Sequence, residues 1–160
     1  LVHESLYQSD TLASMPVARH IPALVGRLKM AWDTADRISV ATDIADVELP
    51  LTLAVPVSLV VNELVSNSFK HGFANGREGT ITIRLWIAEG DCIIHYEDDG
   101  WGLPEHFDIH NAESIGLQLM YGLIEQQLRG SVTLPQPPKA KFELKFPLSS
   151  NHADQPIAAT

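Results

Sequence analysis

The sequence feature that most constrains the fold is the segment of residues 57–72, VSLVVNELVSNSFKHG. On a helix with about 3.6 residues per turn, five aliphatic side chains of this segment share one face: Val57, Val60, Val61, Leu64 and Val65. A face of this kind has to be buried against other elements of the chain. The segment therefore predicts an amphipathic helix at the centre of the protein.

The opposite face of the same helix carries Glu63, Asn67 and Lys70 at spacings of four and three residues. An asparagine oxygen can ligate Mg²⁺, a glutamate can hold a metal-bound water, and a lysine can neutralise phosphate oxygens. The three side chains therefore form a candidate site for Mg²⁺ carrying a phosphate chain. The helix alone leaves open the alternative of an ordinary solvated polar face.

Length and composition indicate one globular domain with a core of its own, since the chain has 160 residues of which 45% are hydrophobic. A net charge of −9 argues against a nucleic-acid-binding surface. The single cysteine, Cys92, is expected to be a reduced and buried thiol in a cytoplasmic protein. The most apolar segment, residues 51–61, is too short to span a membrane.

Hydrophobic periodicity predicts an α+β fold, a two-layer sandwich with helices on one face of a mixed sheet. Residues 1–14 are interpreted as the end of a preceding helix and a linker, residues 15–148 as the domain, and residues 149–160 as a disordered tail. Ser14 is the predicted cap of the first helix, and Gly72 and Gly130 are predicted left-handed caps. The predicted helices are residues 16–32, 57–72 and 115–128, and the predicted strands are 38–44, 80–88, 92–97, 132–134 and 142–146.

Two glycine-containing segments follow the central helix. In residues 98–104, DDGWGLP, Gly100 and Gly102 allow close approach of the backbone to a ligand, and Asp98 can accept a hydrogen bond from an exocyclic amine such as that of adenine. In residues 114–120, SIGLQLM, Gly116 opens a helix whose backbone N–H groups can bind an anion. Taken singly, the first segment is also typical of a plain turn, and the second of a plain loop-to-helix junction.

In this order and at these spacings, the three segments resemble the ATP-binding catalytic domain of bacterial sensor histidine kinases, within the superfamily that includes gyrase, Hsp90 and MutL. NELVSNSFKHGF resembles the N box, EDDGWGLP the G1 box and SIGLQLM the G2 box. The finer match is to the subgroup with HxxLYQS and LxxNELVxNxxKHxF, at residues 3–9 and 59–73. The resemblance covers residues 1–148 and implies a Bergerat-type ATP-binding fold.

The resemblance also implies roles for individual residues. Asn67 would bind Mg²⁺, while Glu63 would orient or deprotonate a water or polarise the metal shell. Asp98 would bind the adenine amino group. Residues 106–114 would form a short lid over ATP. The remaining implied contacts are with the phosphates, from Lys70, His71, Gly116 and Leu117, and with the nucleotide floor, from Gly100 and Gly102.

Two features depart from the family pattern. The Gly-Thr pair that the family usually carries before its last strand is replaced by Lys139 and Ala140, which removes a hydroxyl donor near Asp98. The helix that carries the phosphoaccepting histidine in the family lies upstream of HxxLYQS, and the seven histidines of this chain lack its sequence context. The chain is therefore expected to be a piece of a longer protein, mainly monomeric by itself, that binds ATP without phosphorylating itself.

The function that the resemblance implies is a protein-histidine kinase. The domain would bind ATP and Mg²⁺ and transfer the γ-phosphate to a histidine of its own dimerisation domain. The phosphate would then pass to an aspartate of a response-regulator receiver domain, with no membrane contact by this domain. Two alternatives stay open. One is a serine kinase of the anti-sigma-factor type with the same fold. The other is a non-catalytic module that binds a regulator, and the replacement of the Gly-Thr pair by Lys139 and Ala140 is the feature that favours it.

Overall fold

The structure is a computed structural model, and it describes residues 13–100, 115–134 and 140–148. Several sequence-based expectations fall outside these residues. They concern the linker before residue 13, the lid at residues 106–114, Gly102, Lys139 and the tail after residue 148.

The described part of the chain contains three α-helices, seven strands and a short 3₁₀ helix at Ala74–Gly76. The helices are α1 (Val17–Trp32), α2 (Leu51–Asn67) and α3 (Ile115–Tyr121), and π-helical turns extend α2 over Ser68–Gly72 and α3 over Gly122–Gln127. The strands are β1 (Ser14–Pro16), β2 (Ile38–Ile44), β3 (Glu48–Pro50), β4 (Gly79–Ala88), β5 (Asp91–Asp98), β6 (Ser131–Thr133) and β7 (Ala140–Pro147). This order confirms the predicted α+β class.

Five of these strands form a mixed sheet in the order β2-β4-β5-β7-β6. Strands β2 and β4 are parallel, and every other neighbouring pair is antiparallel. Since parallel neighbours need a crossover connection, the chain between β2 and β4 has to leave the sheet, and α2 is that crossover. The short strands β1 and β3 pair separately and hold the start of α1 beside the start of α2.

The core lies between the helices and one face of the sheet. Alternate residues of β4 and β5 point into it, including Ile81, Ile83, Ile94 and Tyr96, each at most 1% exposed. The opposite face is polar and lies open to water: Arg84 stacks over Trp86, and His95 lies 3.3 Å from Glu143. The predicted two-layer arrangement is confirmed. Cys92 is buried in the core as predicted, and burial raises the pKa of its thiol to about 12.

The central helix carries its five predicted aliphatic side chains fully inside the core, at most 2% exposed. It begins at Leu51, six residues earlier than predicted, and Pro56 lies within it. The missing N–H of Pro56 frees the carbonyl of Thr52, which lies near the helix start at an exposed residue where water can bind. By length and hydropathy the 22-residue run Leu51–Gly72 passes as a membrane span, but half of its apolar window is buried within the protein, as in a core helix.

The predicted Ser14 cap is wrong. Ser14 lies in β1, and its hydroxyl donates to Glu48 at 2.6 Å, so it does not reach the helix. Helix α1 begins directly after Pro16, whose fixed φ of −74° leads the chain into the first turn. Pro22 lies inside the helix, in its second turn.

The two predicted left-handed glycine caps are also wrong. The residues with a left-handed backbone are Asn75 and Gly76, which follow Gly72, and Arg129, which precedes Gly130. Gly72 and Gly130 are required for space instead. A Cβ on Gly72 would lie 3.0 Å from a carboxylate oxygen of Asp98, and one on Gly130 would collide with the backbone of Lys145.

The end of α1 is fixed by the carboxylate of Asp33. Its oxygens accept hydrogen bonds from the backbone N–H groups of Arg37 and Ile38, at 2.9 and 2.8 Å, and from the Lys29 ammonium at 2.8 Å. Burial by itself raises the pKa of Asp33, but these hydrogen bonds outweigh it and lower the pKa to about 2. Asp33 thereby positions the first residue of β2 against the end of α1.

We predict that Asp33→Asn lowers the free energy of unfolding by about 1–2 kcal/mol at pH 7. Because the carboxylate pKa is lower in the folded state, its contribution is present above the ordinary value of 3.8 and is lost as the pH falls toward about 2. Urea unfolding of both proteins between pH 7 and pH 2.5 should therefore show curves that converge in acid.

Asp36→Asn is the matched control for this change. Asp36 also contacts Lys29 at 2.8 Å, but its side chain is 87% exposed and its φ of 55° suits asparagine. This variant should keep the wild-type stability. An Asp33→Asn protein as stable as wild type at pH 7 would contradict the role given to the carboxylate.

Candidate functional site

The candidate site lies where β5, the end of α2 and the start of α3 meet. Strand β5 is a central strand of the sheet and ends at Asp98, which points to the same side as Tyr96 and Ile94. That side is the one covered by the helices. Asp98 is consequently only 6% exposed, and it is one of two buried polar residues, with Ser68, in the part of the chain that the structure describes.

Each carboxylate oxygen of Asp98 accepts a hydrogen bond. The hydroxyl of Ser68 donates to Oδ2 at 2.5 Å, and the backbone N–H of Gly100 donates to Oδ1 at 3.0 Å. Ser68 belongs to the π-helical turn after α2, so one bond comes from the helix layer and the other from the loop after the strand. Burial raises the pKa of Asp98 above its usual value, and these two hydrogen bonds oppose the rise.

A second hydroxyl lies behind Ser68. The Tyr96 hydroxyl is 2.5 Å from the Ser68 hydroxyl and 3.1 Å from the backbone carbonyl of Leu64, to which it can donate. Tyr96 is 1% exposed. Burial raises the pKa of its phenol, so the group is protonated in the physiological range.

Two glycines bring the first and second segments into contact. Gly72 packs against the carboxylate of Asp98, and Gly100 packs directly on the backbone of Gly72, where a Cβ would overlap the Gly72 carbonyl. The sheet strand and the central helix can approach this closely only because neither residue has a side chain. The contact joins residues that are 28 positions apart in the sequence.

A third glycine brings the start of α3 to the central helix. A Cβ on Gly116 would overlap the carboxylate of Glu63, so the two residues are in contact. Glu63 is half-buried on α2, one turn before Asn67. All three sequence segments therefore meet within one region, as the resemblance implies.

Asn67 and Glu63 are the described residues that suit Mg²⁺. Asn67 ends α2, and its buried side-chain nitrogen has no hydrogen-bond partner among the residues that the structure describes. The unpaired atom is an N–H donor, so it suits an acceptor such as a phosphate or water oxygen and is not itself a metal ligand. No group of three or more acidic, histidine or cysteine side chains forms a cation cage in the described ranges. Mg²⁺ would bind the side-chain oxygen of Asn67 and take most of its other oxygens from water and phosphate.

The remaining predicted site residues are Lys70, His71 and Leu117. Lys70 and His71 are exposed on the π-helical turn, and the Lys70 ammonium lies 5.8 Å from the centre of the Trp32 ring. Leu117 is 8% exposed, and its side chain belongs to the core, so its side chain is not available to a ligand. The structure thus places Lys70 against an aromatic side chain, which the sequence did not predict.

Sequence reasoning missed Ser68, Tyr96 and the structural role of Gly72. Two signals were available. Ser68 follows Leu64 by four residues and therefore continues the aliphatic face of the helix into the core. Tyr96 precedes Asp98 by two residues in a strand, so both side chains point the same way. Strand β7 pairs Ala140 with Asp98. The residue that replaces the threonine of the family's Gly-Thr pair is therefore the cross-strand neighbour of this carboxylate, as expected from the sequence.

Comparison with known families gives one match over most of the chain. Residues 52–150 match the family model described as histidine kinase-, DNA gyrase B-, and HSP90-like ATPase. The matched range contains all three segments of the candidate site.

Curated relatives include sensor kinases. The chain is 32% identical over 120 residues to the sensor histidine kinase PdtaS of Mycobacterium tuberculosis, covering 62% of this chain and 23% of the relative. It is 29% identical over 130 residues to blue-light-activated histidine kinase 2 of Erythrobacter litoralis, covering 75% and 37%. An anti-sigma F factor of Clostridium botulinum is 33% identical over 69 residues, covering 43% and 48%. The chain spans less than half the length of each of these relatives.

Solved structures show the same fold. The histidine kinase domain of the Erythrobacter litoralis EL346 blue-light-activated histidine kinase superposes with a TM-score of 0.69 at 25% identity, covering 81% of this chain and 61% of that chain. The catalytic domain of the histidine kinase ThkA superposes with a TM-score of 0.60 at 17% identity, covering 84% and 95%, a likeness of fold alone.

We predict that Gly100→Ala lowers the free energy of unfolding by about 1–3 kcal/mol, because the new methyl group would force the strand end away from the backbone of Gly72. Chemical denaturation measures the change. Gly26→Ala is the control: this glycine lies within α1 and an added Cβ meets nothing within 4 Å. That variant should gain about 0.5–1 kcal/mol, and a loss at Gly26 equal to that at Gly100 would contradict the packing argument.

Proposed function

This chain belongs to the family of histidine kinase-, DNA gyrase B- and HSP90-like ATPases, and we propose that it is the ATP-binding catalytic domain of a sensor histidine kinase. In this proposal it transfers the γ-phosphate of ATP to a histidine of the dimerisation domain of the same protein. Membership of the family implies ATP binding. The observation that supports the proposal most is the meeting of the three segments around Asp98 and Glu63.

The adenine end of the nucleotide is assigned to Asp98. Both oxygens of its carboxylate are held by hydrogen bonds, and each keeps a lone pair for a further donor. The exocyclic amine of adenine is such a donor. Gly72 and Gly100 form the backbone floor beside the carboxylate, and in the family pattern Gly102 continues it.

The phosphate end is assigned to the polar face of α2 and the start of α3. Asn67 would hold Mg²⁺ through its amide oxygen, and Glu63 would hold a water of the metal shell. The ion would supply neutralisation of the charge that the phosphate oxygens carry. Lys70 and His71 would contact phosphate oxygens directly, and the backbone N–H groups at Gly116 and Leu117 would approach them from α3.

The reaction itself needs positioning and charge stabilisation more than covalent chemistry. A nitrogen of the acceptor imidazole attacks the γ-phosphorus, the new P–N bond forms as the bond to the β–γ bridging oxygen breaks, and ADP leaves. Glu63 would orient the attacking group or accept its proton, and Lys70 would stabilise the charge on the transferred group.

The partners in this proposal are the dimerisation domain with its phosphoacceptor histidine and a response-regulator receiver domain that takes the phosphate on an aspartate. The reaction would take place in the cytoplasm, without nucleic acid and without membrane contact by this domain. The similarity to an anti-sigma F factor over 69 residues favours one alternative, a serine kinase of the same fold. In that case the phosphate would appear on serine, as an acid-stable ester.

Incubation with γ-labelled ATP and Mg²⁺ tests the proposal when an acceptor-helix segment with the HxxLYQS context is supplied as a separate chain. We expect acid-labile label on the added segment and none on this chain alone. Label on this chain alone, label that survives acid, or no ATP binding by calorimetry would each contradict the proposal. The last result would favour a non-catalytic binding module.

We predict that Glu63→Gln lowers the transfer rate at least about 100-fold while the dissociation constant for ATP changes less than about threefold, because Gln keeps the shape of the side chain but can neither accept a proton nor carry charge. Single-turnover transfer and calorimetry measure the two quantities. Glu97→Gln, at an exposed carboxylate of β5, is the control and should leave both unchanged. Transfer that survives in Glu63→Gln would make Glu63 a structural residue.

A further inference from the structure

Asp98 needs a hydroxyl donor that this chain cannot supply from the position where the family carries it. Strand β7 pairs Ala140 with Asp98, and alanine is a residue type with no hydrogen-bonding group. A buried carboxylate with a missing donor loses both orientation and stability of its charged form. Another part of the chain therefore has to provide the bond.

The chain supplies it from the helix layer. Ser68 donates to Asp98 Oδ2 at 2.5 Å, and the Tyr96 hydroxyl lies 2.5 Å behind Ser68. All three residues are at most 6% exposed. The two contacts link the three polar groups in the order Tyr96, Ser68, Asp98.

The direction of this chain of hydrogen bonds follows from counting protons. Each hydroxyl has one hydrogen to donate. When Ser68 donates to the Asp98 carboxylate, the short contact between the two hydroxyls requires the hydrogen of Tyr96. The Leu64 carbonyl lies 3.1 Å from the same phenol, but it already accepts the backbone N–H of Ser68, so the phenol hydrogen is left for the Ser68 hydroxyl. Tyr96 then donates to Ser68, which donates to Asp98, and every bond is polarised toward the carboxylate.

We infer that Ser68 and Tyr96 are positioning residues for base recognition, a two-hydroxyl relay that holds the Asp98 carboxylate oriented to accept a hydrogen bond from the amino group of adenine. This inference rests on the proposed function, since it acts through the nucleotide contact assigned to Asp98. It gives Asp98 in this chain a donor from the helix in place of one from the last strand.

Base discrimination separates a positioning role from a structural one. Inosine triphosphate carries an oxygen where adenine carries its amino group, so a fixed carboxylate should favour ATP over ITP by at least about tenfold. The relay predicts that Ser68→Ala lowers this ATP-to-ITP affinity ratio by about tenfold, and Tyr96→Phe by about three- to tenfold. Loss of packing alone would weaken both nucleotides alike and leave the ratio unchanged.

Calorimetric titrations of the whole chain with Mg·ATP and Mg·ITP measure the ratio, and circular dichroism verifies folding of each variant. Ser58→Ala is the matched control, because this hydroxyl of the same helix donates only to the Ala54 carbonyl, and its ratio should equal that of wild type. Ser68→Thr keeps a hydroxyl and should retain most of the discrimination.

A double-variant cycle tests the order of the relay. Because Tyr96 acts through Ser68, Tyr96→Phe should change the ratio little when Ser68 is already alanine. Fully additive effects, or an unchanged ratio in both single variants, would overturn the relay while the wild-type preference for ATP upheld the proposed function. A wild-type chain that binds neither nucleotide would overturn the proposed function itself.

Discussion

A carboxylate inside an aliphatic core has to be held by hydrogen bonds. Because Asp98 is such a carboxylate, the segments packed around it have to supply the donors. The penalty for an unpaired buried charge is several kcal/mol (about 1–3 even for an unsatisfied neutral group). The chain meets it from two layers, with Ser68 after the central helix and the Gly100 N–H after the strand. Sheet and helix are therefore tied together at the residue that the proposed function uses to bind the base.

The glycines explain how these layers come close enough. Gly100 lies on the backbone of Gly72, and Gly116 lies against Glu63. In each pair a methyl group would separate the two segments. The missing side chains therefore let the end of β5, the central helix and the start of α3 meet at the candidate site. A substitution at Gly100 consequently acts through the packing of the backbone, whereas one at Gly116 would also displace the Glu63 carboxylate.

The sequence predicted the fold class, the central helix and the five strands of the mixed sheet to within about two residues, because aliphatic periodicity decides these. It did not predict the short strands β1 and β3 or which pair of strands is parallel. It failed at helix ends, where tertiary contacts decide. The Ser14 hydroxyl donates to Glu48 between two short strands, and Gly72 packs against the carboxylate of Asp98, so neither residue acts as a helix cap. The hydroxyls of Ser68 and Tyr96 were missed for a related reason, since they matter only through a contact between residues 28 positions apart. The predicted roles of the site residues stay predictions, with Lys70 found against Trp32.

The site divides into a buried end and an open end, and this division bears on the kind of acceptor. Asp98, Ser68 and Tyr96 are nearly inaccessible, whereas Glu63 and Asn67 are half-buried and Lys70 and His71 are exposed. In the proposed function, a base held by the buried end has its position fixed by packed groups, and the phosphate chain would extend toward the exposed residues. An acceptor histidine carried on a separate domain can reach a γ-phosphate only if that end of the nucleotide stays accessible. Under the proposed function, the exposure of Lys70 and His71 is what transfer to such an acceptor requires of the residues assigned to the phosphate end.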